Sequence, residues 1–275
     1  MTANPLLETN LCLIGGGNMA TALIQGLIQS GIKGNRIRVS EPDPVRAQAL
    51  TASGVILSAD NLHAVKDSSL VVIAVKPGVV PSVLAEITPH LHPSALVVSI
   101  AAGITLDNLQ QRLPPGQPVI RSMPNTPALV GEGVTVLCPG THVTAPQLHL
   151  AETLLGTVGD VRTVMDESLI DGVTALSGSG PAYVYLILEA LSDGGVACGL
   201  PRDLATWLAI NTVKGSAALV QETGQHPGVL KNQVTSPGGT TIAALQVLEE
   251  AGIRGTLMRA VTAAWQRSRE LGRKS

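Results

Sequence analysis

Apolar residues in the first half of the chain fall into short continuous runs: Leu11 to Ile14, Ile37 to Ser40, Leu70 to Val75, Leu96 to Ile100 and Val119 to Met123. Runs this short and this uniformly apolar predict strands buried on both faces, the habit of a parallel sheet. Between the first two, Met19, Leu23, Ile24, Leu27 and Ile28 recur at helical spacing. That periodicity predicts a helix from Asn18 to Ser30, stopped at Gly31. Strand, helix and strand in this order imply parallel pairing. Strands at Val134 to Cys138 and Asp160 to Val164, with a helix from Ala145 to Gly156 between them, are expected to complete the sheet.

After Met165 the strand signal ends, and Ala and Leu dominate. Helices are expected over Pro181 to Gly199, Leu200 to Thr223, Thr240 to Glu250 and Arg254 to Leu271, with Thr223 to Gly239 as a loop. Proline in the first turn of the first of these helices and glycine at its end follow the usual asymmetry of helix termini. The change of texture places a domain boundary near residue 164, dividing an α/β half, 1–164, from an all-α half, 165–275. Small and apolar residues cover more than one face of the segment 181–222. Either they form a tight bundle, or part of that surface is a subunit interface; the excess favours a homo-oligomer, at least a homodimer.

Composition narrows the picture. The 275 residues are 45% hydrophobic, with no Phe, two Trp and two Tyr, so the core must be aliphatic. The net charge is −2 with the two signs mixed, which offers no surface for nucleic acid or for an anionic membrane. No run reaches the roughly 18 apolar residues of a membrane span. The start, MTANPLLETN, lacks the basic patch and apolar run of a signal peptide. Cys12, Cys138 and Cys198 are widely separated, which suits a reducing cytoplasm and provides no disulfide framework or zinc site. His90 and His92 flank one residue in a Pro-bounded loop, and no metal is expected there.

The strongest chemical signal is Gly15-x-Gly17-x-x-Ala20, which follows a predicted strand and opens a predicted helix. The first glycine permits a tight turn, the second lets a pyrophosphate approach the backbone, and the small residue lets helix and strand pack closely. The helix start then supplies free N–H groups for phosphate. A Rossmann-type turn binding a dinucleotide is the expectation, the alternative being a purely structural glycine turn. Ser40-Glu41 ends the second strand. An acid there ordinarily hydrogen-bonds the ribose of NAD and repels the extra phosphate of NADP, although Arg38, Ser40, Arg46 and Asn61 can offset that repulsion. Ala74-Val75-Lys76-Pro77 ends a further strand, where Lys76 either meets cofactor charge or is simply solvated. Ser99 to Gly103 ends the next. The small side chains of Ala101 and Ala102 either leave room for a nicotinamide ring or form a tight turn.

In the helical half, Ser236-Pro237-Gly238-Gly239-Thr240-Thr241 precedes the helix expected from Thr240. Successive N–H groups there can curl into an anion nest, or the segment is an ordinary cap built from Ser, Thr and Gly. Glu167 reads locally as a first-turn acid.

Taken in order, these motifs resemble the pyrroline-5-carboxylate reductase family. The likeness runs from Ile14-Gly15-Gly16-Gly17-Asn18-Met19-Ala20 through Ala74-Val75-Lys76-Pro77, Ser99-Ile100-Ala101-Ala102-Gly103 and Arg121-Ser122-Met123-Pro124-Asn125-Thr126-Pro127. It continues through Ala175-Leu176-Ser177-Gly178-Ser179-Gly180-Pro181-Ala182-Tyr183 to Val234-Thr235-Ser236-Pro237-Gly238-Gly239-Thr240-Thr241. The resemblance implies a Rossmann domain followed by a helical dimerisation and substrate domain. It also implies reduction of the cyclic imine 1-pyrroline-5-carboxylate to proline with NADPH, NADH being the alternative. It extends the cofactor set to Ile14, Gly15, Gly16, Gly17, Asn18, Met19 and Asn125, and brings Glu167, Ser236, Gly238, Gly239, Thr240 and Thr241 into the substrate set. To Thr241 it assigns the catalytic hydrogen bond to the substrate nitrogen. Glu41 departs from the family's usual small polar residue. Two rivals carry other functions: a hydroxyacid dehydrogenase would need a catalytic lysine, for which Lys214 is the main candidate, and a cofactor-binding regulator would need no substrate loop.

Overall fold

The computed structural model describes residues 4–58 and 60–272. Contacts divide the chain into two compact units, one within Met1–Ser179 and Ala264–Ser275, the other Gly180–Ala263. The expected boundary near residue 164 marks where strands cease, but the contacts keep the next turns of chain and the end of the last helix with the α/β unit.

That unit is an eight-stranded sheet. Its elements in chain order are β1 (Leu11–Ile14), α1 (Asn18–Gln29), β2 (Ile37–Ser40), α2 (Pro44–Thr51), β3 (Ile56–Ser58), α3 (Asn61–Val65), β4 (Leu70–Ile73), α4 (Val80–Ile87), β5 (Leu96–Ser99), α5 (Leu106–Gln110), β6 (Val119–Met123), β7 (Gly133–Pro139), α6 (Ala145–Gly156), β8 (Gly159–Thr163) and α7 (Leu169–Val173). The strand order is β3-β2-β1-β4-β5-β6-β7-β8. All neighbours pair parallel except β6 and β7. The order reverses between β1 and β4, the switch point at which doubly wound sheets bind ligands.

Alternation along each strand sends side chains to opposite faces. Leu11 and Leu13 join Val39, Val72 and Val98 in one core, covered by Leu23 and Leu27 of α1, Leu50 of α2 and Leu154 of α6. Cys12 and Ile14 join Val71, Ile73 and Val97 in a second core, covered by Val65 of α3, Val83 and Leu84 of α4, and Leu109 of α5. The central strands are buried residue by residue, which is why they read from the sequence as unbroken apolar runs. Three strands escape that signature. β7 alternates, with Val134 41% exposed. β3 is a three-residue edge strand, and it carries no run of its own. β8 exposes Asp160 and Arg162.

The second unit contains α8 (Gly180–Ala197), α9 (Arg202–Thr223), α10 (Pro227–Gln233), α11 (Thr240–Glu250) and the part of α12 (Ile253–Gly272) up to Ala263. The span 223–239, expected to be a loop, contains α10. Pro227 begins it, and His226 Nδ1 accepts the Gly228 N–H. A seven-residue helix carrying both Pro and Gly leaves no periodicity to read. Few side chains here are buried: Ala205, Ala209 and Ser192 are among them. Leu186, Trp207, Val247 and Met258 are all more than 60% exposed.

Candidate active site

The turn from β1 into α1 builds the floor of a crevice of about 760 Å³. Gly15 has φ +102°, and a Cβ there would lie 2.6 Å from the Ala74 carbonyl oxygen, so only glycine fits. A Cβ on Gly17 would meet nothing within 4 Å, because that position faces open space. Gly17 caps α1 without any side-chain hydrogen bond, which leaves the first N–H groups of the helix available. An open glycine, a bare helix start and a switch-point position together fit the pyrophosphate of a dinucleotide.

The crevice is lined by Ile14, Gly15, Gly16, Gly17 and Asn18, by Ser40, Glu41 and Asn61, and by Ala74, Val75 and Lys76. Ser40 Oγ donates to Asn61 Oδ1 at 2.6 Å, and Asn61 Nδ2 donates to Glu86 at 2.7 Å. Sequence reading missed Thr21, Ala49, Val79 and Val83 in the lining. Thr21 had a signal, since it stands one helical turn beyond Gly17 and Asn18. Arg38 does not reach this crevice. It donates to the Lys66 carbonyl and lines a separate hollow with Ile56 and Asp67.

Five residues of the expected cofactor set, Met19, Pro77, Ala101, Ala102 and Asn125, lie outside the lining. Asn125 spends its amide within the protein: Oδ1 accepts the Val134 N–H at 2.8 Å, and Nδ2 donates to the Ser177 carbonyl at 3.3 Å. It ties β7 to the π-helical turn Thr174–Gly178. Ala101 and Ala102 follow β5 in a turn that is fixed from below. Ser122 Oγ donates to the Ser99 carbonyl at 2.9 Å, and Ser99 Oγ accepts the Ala101 N–H at 3.3 Å. Leu271 of α12 lies against Gly103.

Beside that turn sits an ionic cluster. Arg121, 3% exposed on β6, donates to Glu167 Oε1 at 2.7 Å and lies 3.9 Å from Asp171 Oδ1. Glu167 Oε1 also accepts the Leu106 N–H at 2.7 Å. Ser268 of α12 donates to Asp171 at 2.7 Å. Sequence reading marked Glu167 but gave it no partner. The structure makes its carboxylate an anchor for β6 and for the start of α5.

In the second unit, Ser236, Gly238 and Gly239 form the turn that leads into α11, whose first two residues are Thr240 and Thr241. Gly238 has φ +65°, the Gly239 N–H donates to the Ser236 carbonyl at 3.1 Å, and α11 starts at Thr240. Gly239 caps α11 without a side-chain hydrogen bond. The first-turn N–H groups, including that of Thr241, therefore face outward at the positive end of an eleven-residue helix.

Among the described residues no helix is long and apolar enough to cross a membrane. A family model described as pyrroline-5-carboxylate reductase dimerisation matches residues 167–271. Another, described as NADP oxidoreductase, coenzyme F420-dependent, matches residues 10–103. A pyrroline-5-carboxylate reductase of Pisum sativum is 46% identical over 97% of this chain and 98% of its own length. That of Corynebacterium melassecola is 44% identical over 96% and 99%. Among solved structures, the pyrroline-5-carboxylate reductase of Coxiella burnetii matches with a TM-score of 0.90 at 39% identity, covering 96% of this chain and 98% of its own. The pyrroline carboxylate reductase of Plasmodium falciparum, solved with NADP bound, matches at 0.88 and 33%, covering 97% and 99%.

Proposed function

The chain belongs to the pyrroline-5-carboxylate reductase family, and on that premise we propose that it reduces the C=N bond of 1-pyrroline-5-carboxylate to give L-proline, with NADPH as the preferred reductant and NADH as the alternative. The observation that carries this reading is likeness over nearly the whole chain to reductases that bear this name, at 44–47% identity. The glycine turn and the Ser236–Thr241 loop are both intact in this chain.

When bound, the reduced nicotinamide supplies a hydride to the imine carbon. The chain's own residues bind, orient and exclude water. The N–H groups at the start of α11 hold the substrate carboxylate, assisted by the helix dipole and the Ser236 hydroxyl. The Thr241 hydroxyl hydrogen-bonds the ring nitrogen, accepting from it when protonated. The imine nitrogen takes its proton from water, so no histidine or cysteine is needed. Glu167 contributes to the substrate pocket through the carboxylate that Arg121 holds in place. Lys76, exposed on the crevice wall, balances phosphate charge.

In this reading residues 1–164 bind the cofactor, and 165–275 bind the substrate and form the subunit interface. The dimerisation match and the exposed apolar residues of α8, α9, α11 and α12 support a homodimer or larger homo-oligomer. The protein works in the cytoplasm. A steady-state assay with pyrroline-5-carboxylate and either NADPH or NADH tests the proposal. Cofactor oxidation matched by proline formation is expected, and no turnover with either cofactor would overturn it.

A further inference from the structure

An acid at the end of the second strand of a Rossmann domain ordinarily reads the adenosine ribose and repels a phosphate on it. Glu41 occupies that place on the crevice wall, but both of its carboxylate oxygens are engaged by backbone N–H groups. The residue is 6% exposed. Its Oε2 accepts the Gly16 N–H at 2.7 Å, and its Oε1 accepts the Asp43 N–H at 2.9 Å. Both are charge-assisted bonds to backbone, each fixing a loop that borders the crevice. The side chain also interlocks with the turn: a Cβ on Gly16 would lie 3.1 Å from Glu41 Cβ and 2.9 Å from Leu50 Cδ1. The glycine turn, Glu41 and α2 thus form one packed block.

Arg46 is the outward-facing group of the same block. It lines the crevice from the first turn of α2, with its side chain 54% exposed. It sits 3.9 Å from Glu41 Oε2 and 4.0 Å from Asp43 Oδ2, too far for the tight fork of a committed ion pair. Asp43 is itself engaged, since its Oδ1 accepts the Val45 and Arg46 N–H groups and caps the helix. Two carboxylates are therefore tied to backbone while one guanidinium remains loosely held at the rim. A guanidinium presents donors in a fork that matches phosphate.

We propose that Glu41 is a positioning residue for the glycine turn and not a ribose reader, and that Arg46 is the residue selecting the 2′-phosphate of NADPH. The inference rests on the reading that this crevice takes a nicotinamide dinucleotide. It explains how a chain with an acid at this position favours NADPH: the negative charge is spent on Gly16 and Asp43, and the positive charge faces the ligand.

The test is a fluorescence titration of full-length protein with NADPH and with NADH, on wild type, Glu41→Gln, Glu41→Ala and Arg46→Ala. Arg46→Ala should weaken NADPH about tenfold and leave NADH within about twofold, as expected for losing one phosphate contact. Glu41→Ala should weaken both cofactors about tenfold together, with a lowered melting temperature. Glu41→Gln keeps an oxygen for the Gly16 N–H and should recover part of that loss, again with the NADPH-to-NADH ratio unmoved. A ratio that rises about tenfold toward NADPH in Glu41→Gln would show that the carboxylate reads the ribose, and would overturn the proposal. So would an Arg46→Ala variant with the wild-type ratio, or a wild type that binds neither cofactor. Because the readout is binding, a wild type that binds NADPH but leaves the imine unreduced would refute the proposed reaction, while these titrations would still decide the roles of Glu41 and Arg46.

Discussion

Arg121 and Glu167, 46 positions apart in the chain, form a 2.7 Å ion pair in which the guanidinium is almost wholly buried. The carboxylate oxygen that receives it also receives the Leu106 N–H, and Asp171 stands 3.9 Å from the same guanidinium. Removing the arginine strands two acids against β6. Arg121→Met should therefore lower stability by about 1–3 kcal/mol, less than for a fully buried pair because the side chains of Glu167 and Asp171 are 29% and 23% exposed and can be solvated. Glu167→Gln keeps an acceptor for the Leu106 N–H and should cost less. Denaturant unfolding of both variants checks the order. Equal stabilities would show that the pair is not what holds this region.

Gly17 faces open space on the crevice floor. Its φ of −72° is one that any residue adopts. Gly17→Val should thus fold with a melting temperature near wild type, yet place methyl groups where the pyrophosphate is proposed to lie. Affinity for NADPH and NADH should fall together, by about a hundredfold or more. Titration beside a thermal melt separates the two effects, and unchanged affinity would remove the glycine turn from the site.

Thr241→Ala deletes one hydroxyl while leaving the N–H groups of the α11 start in place. The expected loss is about a hundredfold in kcat/KM for the imine, by analogy with a single positioned polar group. Cofactor affinity should hardly change. Normal turnover of a less stable protein would instead mark Thr241 as a first-turn helix residue and nothing more.

Leu186 and Met258 are 67% and 70% exposed on a unit with few buried side chains of its own. Light scattering of the full chain should show at least a dimer. Leu186→Glu should raise the dissociation constant about tenfold or more if that face is covered by the partner. A monomeric wild type would contradict the assembly outright.

Cys12 is wholly buried in β1, and burial pushes its thiol up to about 12, with Arg38 opposing the shift weakly. Cys138 is also buried and raised, by burial first and by the charge of Glu167 second. Thiolate is the reactive form, so native protein at pH 8 should react with a maleimide at no more than one thiol, the exposed Cys198. Mass spectrometry reads the count. Rapid labelling of all three in native protein would contradict the packing of β1 and β7.

The features of this protein whose causes are local can be read from its residues alone. The central strands are buried on both faces, so each appears as an uninterrupted apolar run. Gly15 must take a positive φ, and Gly17 must leave space before a bare helix start. The helix from Thr240 to Glu250 was legible to the residue because paired glycines precede its periodic stretch. Where the local signal was weak, sequence reading fell short: β3 is a short edge strand, and α10 lies among turn residues. Where polar side chains spend their hydrogen bonds depends instead on which distant segments the fold brings together. Glu41 could face a ribose or a backbone N–H. The choice falls to Gly16, 25 positions away, because β1 and β2 pair in register and bring the two together. Asn125 reaches Ser177 across 52 positions, and Ser268 reaches Asp171 across 97. Hydrogen bonds act over about 3 Å, so which pairs form depends on strand register and helix docking, and neither is written in any short stretch of the chain.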